Sequence, residues 1–379
     1  MRSIVLFVFF ASIFGISCTH QGNKEKISLS DSLMIAKPEY AKRFSYAKTP
    51  NGYTLSVFNP WQGASEVEYT YALDSTTTEH NLENNPIIPF PVNRVVCLST
   101  THIAYIDLLN QTDAIVGVSG VNLATNTNVQ TRYKKGLLHD VGYEQAMNYE
   151  VLVSIRPDVV FAYGVGAEMT GYIQKFTDLG IPVVFVADYL EDTPLGKTEW
   201  IKFFSLFFDC VTIADSLFQS IESNYNEVKS RVADSQIRPT VFLNLPWKDI
   251  WYVPGNDGYM VKLINDAGGQ YALSHLEGAN TVPLNLEAAM EYGLKANYWL
   301  NTGTANTLDE IASNFPMSKQ FPALINGRVY NNNRLTNAKG GNDFWESGVV
   351  NPHVILSDLV KIFHPNSIEH EFTYYQKLN

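Results

Sequence analysis

Apolar positions along the chain change their period several times, and each change marks an element. Tyr53, Leu55 and Val57 alternate with polar residues, the pattern pauses at Pro60-Trp61-Gln62-Gly63, and it resumes at Val67, Tyr69, Tyr71 and Leu73. A period of two on both sides of a turn predicts a β-hairpin. From Arg94 onward the apolar residues gather into short continuous runs separated by helical stretches. Val95-Val96-Cys97-Leu98 reads as a buried strand, 103–109 as a helix introduced by Ser99, Thr100 and Thr101, and 115–118 as the next strand. The alternation continues with helices over 149–155, 171–179, 259–267, 286–292 and 353–363, and strands over 159–163, 182–186, 240–245, 298–300 and 328–330. Strands alternating with helices imply mostly parallel sheets covered on both faces, an α/β, doubly wound fold.

Residues 197–232 break this rhythm. They carry apolar side chains from Trp200 and Phe203 through Phe207 and Ile213 to Val228 with no proline or glycine. One long helix of about 50 Å is expected, longer than either flanking α/β region is wide, so it joins two lobes. The halves also echo each other. Asn148-Tyr149-Glu150, a helix and a strand ending at Tyr163-Gly164 parallel Asn285-Leu286-Glu287, a helix and a strand ending before Asn301-Thr302-Gly303. That echo fits a duplication, and equally the generic helix–strand unit of α/β proteins. The expected division is a leader at 1–18, a polar tether at 19–40, a β extension at 41–92, an N-terminal lobe at 93–196, a connecting helix at 197–235, a C-terminal lobe at 236–366 and a tail at 367–379.

The leader opens Met1-Arg2, runs apolar over 4–16 except for Ser12 and Gly15, and ends Gly15-Ile16-Ser17-Cys18. Such a run is too short to span a bilayer comfortably and marks an export signal. Its end resembles a bacterial lipobox, which implies lipidation of Cys18. Gly15 stands where leucine is commonest, so plain signal cleavage is the alternative. Thr19-His20-Gln21-Gly22-Asn23 has no acidic residue of the kind that favours the outer face, so the expected place is the periplasm of a Gram-negative bacterium, with a lipid anchor. Cys97 and Cys210 are the other cysteines; their strand-like and helical apolar contexts suit two buried thiols, a disulfide being the alternative.

Composition narrows the partners. With 379 residues, 45% hydrophobic and 17% charged, the chain is large enough for more than one core and is no disordered polymer. A formal charge of −11 without a Lys/Arg cluster argues against nucleic acid and is compatible with steering toward a basic protein surface. Enzyme motifs fail in detail. Gly117-Val118-Ser119-Gly120 is followed by Val121 where a nucleophile elbow needs Gly, and Gly164-Val165-Gly166 lacks the third glycine of a dinucleotide loop. Neither an H-E-x-x-H nor a phosphate-loop sequence occurs. A binding protein without catalytic residues, cofactor or resident metal is the better reading, with an α/β enzyme lacking a recognisable motif as the rival class.

Ligands of doubly wound folds sit beyond the carboxyl ends of strands. The residues there are Thr100, Thr101 and His102; Tyr163 and Gly164; Trp247 and Trp251; Asn301 and Thr302; and Arg334 with Trp345. Large aromatics with one arginine would suit a flat or bulky chelate needing stacking area and a charge anchor, although aromatics equally fill cores. His102 fits capping or hydrogen bonding at a helix start better than axial ligation of a haem iron or cobalt, because no second ligand is placed beside it.

The order of Asn93-Arg94-Val95-Val96-Cys97-Leu98-Ser99, Ile115-Val116-Gly117-Val118, Asn148-Tyr149-Glu150 with Arg156-Pro157-Asp158-Val159-Val160, Leu179-Gly180-Ile181-Pro182-Val183 and Phe363-His364-Pro365 resembles the periplasmic binding proteins of ABC importers for iron-siderophores, haem and cobalamin. The resemblance spans about residues 93–366; the β extension looks like an addition seen in relatives from Bacteroidetes. It implies a monomer with an inter-lobe cleft for an iron-siderophore type chelate, a corrinoid or haem being the alternatives. It also implies a hinge too stiff for wide closure and one exposed acid per lobe pairing with arginines of the permease dimer. The matching positions are Glu168 and Asp257, the latter a methylene shorter than the family's usual Glu.

Overall fold

The strand Val95–Cys97 lies at the centre of a five-stranded parallel sheet in the order Val183–Phe185, Val159–Ala162, Val95–Cys97, Ile115–Val118, His139–Asp140. Every residue of the first four of these strands is buried, which is why they read as continuous apolar runs instead of alternating. This computed structural model describes residues 35–77, 86–143, 146–164, 166 and 169–379; Cys18 with the leader, most of the tether, and Glu168 lie outside the described residues. A second sheet has the order Gln270–Tyr271, Thr240–Leu243, Tyr298–Leu300, Val329–Asn331, Gln376–Lys377, parallel except for the last strand. In each sheet the chain enters at an inner strand, adds neighbours on one side and then crosses to the other. Topological switch points therefore fall between Val95–Cys97 and Val159–Ala162, and between Thr240–Leu243 and Tyr298–Leu300.

Local chemistry starts the helices where the sequence suggests. Ser99 Oγ accepts the Thr101 N–H ahead of Thr100–Leu108, Asn148 Oδ1 accepts the Val151 N–H ahead of Tyr149–Ile155, and Asn285 Oδ1 accepts the Ala288 N–H ahead of Leu286–Gly293. The two echoing Asn-x-Glu triplets are thus equivalent caps, each on a helix that leads into an inner strand.

Three expectations are corrected. The single long connecting helix is three helices, Pro194–Thr198, Trp200–Phe207 and Val211–Ser230. The main break falls at Asp209, which takes a left-handed φ of 54° while the Phe208 and Cys210 N–H groups both turn back to the Ser205 carbonyl. Aspartate tolerates that conformation better than most residues, so no glycine or proline was needed to end the helix. The two pieces then do different work. Trp200–Phe207 is buried nearly all round, with Phe204 and Phe207 against Phe161 of the first sheet at 4.8 and 4.9 Å. Val211–Ser230 buries one stripe, Ala214, Phe218, Ile221 and Tyr225, and reaches the second lobe, where the Tyr225 hydroxyl donates to Asp266 at 2.8 Å.

The tail is also no appendage. Tyr374, Tyr375 and Leu378 are buried, and Gln376–Lys377 pairs along the edge strand Val329–Asn331. The extension, in turn, is more than a hairpin: Ile35–Ala36, Phe44–Thr49, Gly52–Phe58, Glu68–Asp74 and Ile87–Pro89 form a five-stranded sheet. Buried carboxylates fasten it, Glu199 accepting the N–H groups of Glu39, Tyr40 and Ala41 and Glu191 those of Lys42 and Arg43. Its Tyr71 hydroxyl accepts the Phe185 N–H at 3.1 Å, covering the edge strand of the first sheet.

Candidate functional site

A cavity of about 650 Å³ opens at the carboxyl ends of the second sheet's strands. Leu243 and Asn244 come from one strand end, Asn301, Gly303 and Thr304 from the next, and Asn332 from the third. Asn244 and Asn301 hold φ values of 67° and 59° there, a backbone conformation asparagine accepts readily as the chain leaves a strand. One wall is the antiparallel pair Ile250–Pro254 and Thr281–Asn285, contributing Tyr252, Val253, Pro254 and Thr281. Tyr259 and Met260 open the helix Tyr259–Asp266 beside it. Trp345, half exposed, and Asn342 come from the segment after the last parallel strand.

Lys197 lines the cavity from the connecting region. Its ammonium donates to the Tyr189 carbonyl at 2.9 Å and lies 5.0 Å from the centre of the Tyr259 ring. Burial pulls its pKa down, and the charges of Asp188, Glu191 and Asp192 push it back toward the ordinary range. Tyr189 in turn donates its hydroxyl to the Gly164 carbonyl and meets the Tyr163 ring edge-on at 6.3 Å. Lys197 and Tyr189 thus connect the end of the first lobe's strand Val159–Ala162 with the second lobe's cavity.

The residues expected at strand ends separate into groups. Asn301 and Trp345 line the cavity. Thr100 and Thr101 sit partly exposed in the first turn of their helix, and Tyr163 and Gly164 beside Tyr189. Arg334 is exposed and lines a second cavity of about 570 Å³ with Asn122, Thr125, Asn337, Lys339 and Asp343, so it does not anchor charge in the first. Trp247 is 63% exposed with the Lys248 ammonium 4.4 Å over its ring, and it does not line the cavity. Asp257 is exposed just ahead of the helix Tyr259–Asp266.

Three candidates prove to be interior. His102 is fully buried against Phe161 and Phe204, and neither ring nitrogen finds a hydrogen-bond partner among the described residues. Burial lowers its pKa to about 4, which keeps the ring neutral. Trp251 is packed among Phe242, Trp299, Phe315 and Phe321, with its indole N–H on the Leu243 carbonyl at 2.8 Å. Thr302 is fully buried beneath the strand end. Thr302 follows the strand Tyr298–Leu300, whereas Trp251 lies within the strand Ile250–Pro254 and His102 within the helix Thr100–Leu108; all three side chains turn inward. Cys97 and Cys210 are both buried and unpaired, and burial raises the Cys210 pKa to about 11.

The lobes also touch at a second place. Glu346, buried, accepts the backbone N–H groups of Thr125 and Asn126 at 2.7 and 2.8 Å, and Asp343 accepts the Thr125 hydroxyl at 2.6 Å. The Asn337 amide donates to the carbonyls of Asn122 and Ala124. Gly341 lies so close that a Cβ there would stand 2.0 Å from the Leu123 carbonyl oxygen. Desolvation raises the Glu346 pKa to about 7 despite the hydrogen bonds that favour its charged form.

Two doubly wound lobes, a linking helix and a cavity at strand carboxyl ends define a two-lobed solute-binding architecture. Residues 95–333 match the model of the periplasmic binding protein family, and the chain belongs to that family, whose members bind solutes rather than catalyse reactions. Over 382 residues it is 25% identical to an uncharacterized lipoprotein of Methanocaldococcus jannaschii, covering 93% of this chain and 89% of the relative. A periplasmic heme binding protein from Pseudomonas aeruginosa superposes with a TM-score of 0.59 at 15% identity, covering 76% of this chain and 98% of the other. A possible iron-binding, periplasmic solute-binding protein from Staphylococcus epidermidis superposes with a TM-score of 0.57 at 19% identity, covering 72% and 99%. Family membership implies an extracytoplasmic protein. The Gram-negative host expected from the leader finds no support, since the lipoprotein relative is archaeal.

Proposed function

We propose that this protein captures a metal chelate of the iron-siderophore type in the 650 Å³ cavity and delivers it to an ABC permease. The observation that carries the reading is the cavity itself: it lies at the second sheet's carboxyl ends, is reached by Lys197 from the connecting region, and is lined by Tyr252, Tyr259 and Trp345, which offer stacking area to a bulky planar or globular solute. The fold relatives described as heme-binding and iron-binding support the solute class. Lipidation of Cys18 would hold the monomer at a membrane surface. Carboxylates at Glu168 and at the exposed Asp257 would orient it on a two-fold permease, speeding encounter more than strengthening the complex.

A thermal-shift panel of cobalamin, haem and ferric siderophores tests the reading. A bound chelate at a hundredfold excess over its Kd should stabilise the fold by about 2.7 kcal/mol. Stabilisation by one chelate class supports the proposal; no shift with any of them sinks it.

A further inference from the structure

Resting on the reading of the cavity as the chelate site, we propose that its ligand is anionic and is held by the Lys197 ammonium together with the side-chain amide of Asn332. The argument is one of charge and unsatisfied donors. Among the described residues lining the cavity, Lys197 carries the only formal charge, and no carboxylate faces the space. The polar lining is otherwise neutral, dominated by Asn244, Asn301, Asn332 and Asn342.

Two donors are left over. The Lys197 ammonium spends one N–H on the Tyr189 carbonyl, which leaves two. Asn332 is 4% exposed and lines the cavity, yet its Nδ2 finds no acceptor among the described residues. A buried amide N–H₂ without a partner is costly unless something else supplies an acceptor. A ligand bringing carboxylate, phenolate or catecholate oxygens offers acceptors to the Lys197 ammonium and, once the buried Asn332 amide turns toward the cavity, to its N–H₂ as well, whereas a cationic chelate would meet Lys197 with like charge. Asp188, Glu191 and Asp192 support the lysine charge without lining the cavity. Tyr252 and Trp345 would then pack on the ligand's apolar body.

The experiment titrates the purified full chain calorimetrically with a ferric tris-catecholate, haemin with its propionates, an uncharged ferric tris-hydroxamate, and cyanocobalamin. The expected result is binding of an anionic member, weakening as salt rises. Lys197→Met should reduce that affinity about tenfold to hundredfold, the range for a hydrogen bond to a charged group, while Lys197→Arg retains most of it. Asn332→Asp, which keeps the size and replaces the amide donor with a negative charge, should weaken the same ligand. The salt dependence is read on the wild-type chain, so misfolding of a variant cannot remove the test. Binding of an uncharged chelate that ignores salt and Lys197→Met overturns the anionic assignment and leaves the chelate reading standing. Absence of binding by all four overturns both.

Discussion

At the scale of single residues, buried carboxyl groups dominate the account. Glu346 joins the lobes while its pKa is raised from 4.5 to about 7, so ionising it costs the folded state. The sign follows directly: the folded form holds its proton more tightly, so this contribution is complete below pH 4.5 and is lost as pH rises through 7. Its full size is about 3 kcal/mol. Glu191, raised to about 6, acts in the same direction, and His102, lowered to about 4, in the opposite one, losing stability as pH falls below 6.5. Glu346→Gln should therefore change the difference in melting temperature from wild type in the variant's favour between pH 5 and pH 8; a difference independent of pH would show that Glu346 does not titrate there. At this scale the sequence revealed strand ends but not side-chain direction. Asn301 could be read from its position after a strand, whereas Asn244 fell inside the strand expected over 240–245 and is freed because that strand ends at Leu243. Lys197 had no local signal, because its role depends on a tertiary approach to Tyr259 and Tyr189.

At the scale of elements, the break in the connector is set by one residue. Asp209 sits at φ 54°, where a β-branched side chain is strained and glycine is not. Chemical denaturation should show Asp209→Val destabilised by about 1–2 kcal/mol and Asp209→Gly at least as stable as wild type. The C-terminal strand depends on another carboxylate. Asp358, fully buried, accepts the backbone N–H groups of Thr373, Tyr374 and Tyr375 and is paired with His370. Asp358→Ala strands these buried donors and should cost about 2–4 kcal/mol in the same assay; a loss below about 0.5 kcal/mol, the range of a surface substitution, would mean the tail is not anchored there. The strands and most helices were legible because their apolar runs and caps are local. The connector's break was not, since Asp209 carries no breaker signal. Nor was the tail's pairing, which needs an edge strand 47 positions away in the register Tyr330 to Lys377. The strand Phe44–Thr49 did have a signal that went unused, the Asn51-Gly52 pair at its turn.

At the scale of the whole molecule, residues 34–379 form one compact unit, joined across the lobes by the helix Val211–Ser230 and by the Glu346, Asp343 and Asn337 contacts. Two such connections on one body oppose a wide hinge motion. Small-angle scattering should accordingly give the same radius of gyration with and without ligand, within a few per cent; a large contraction would contradict a stiff linkage. The general class was legible because it rests on the order of many local units, whereas the cavity was legible only in part, because it is assembled from three strand ends, an antiparallel strand pair and the connector.

The most direct test of the central claim is a calorimetric titration of the wild-type chain and of Trp345→Ala, which removes from the cavity wall a half-exposed ring that meets the buried Phe344 edge-on at 4.7 Å. The account predicts one chelate bound per wild-type chain and an affinity about tenfold weaker in the variant, the range expected for losing one aromatic contact. Binding unaffected by Trp345→Ala would place the ligand elsewhere, and no heat with any chelate would contradict the binding function itself.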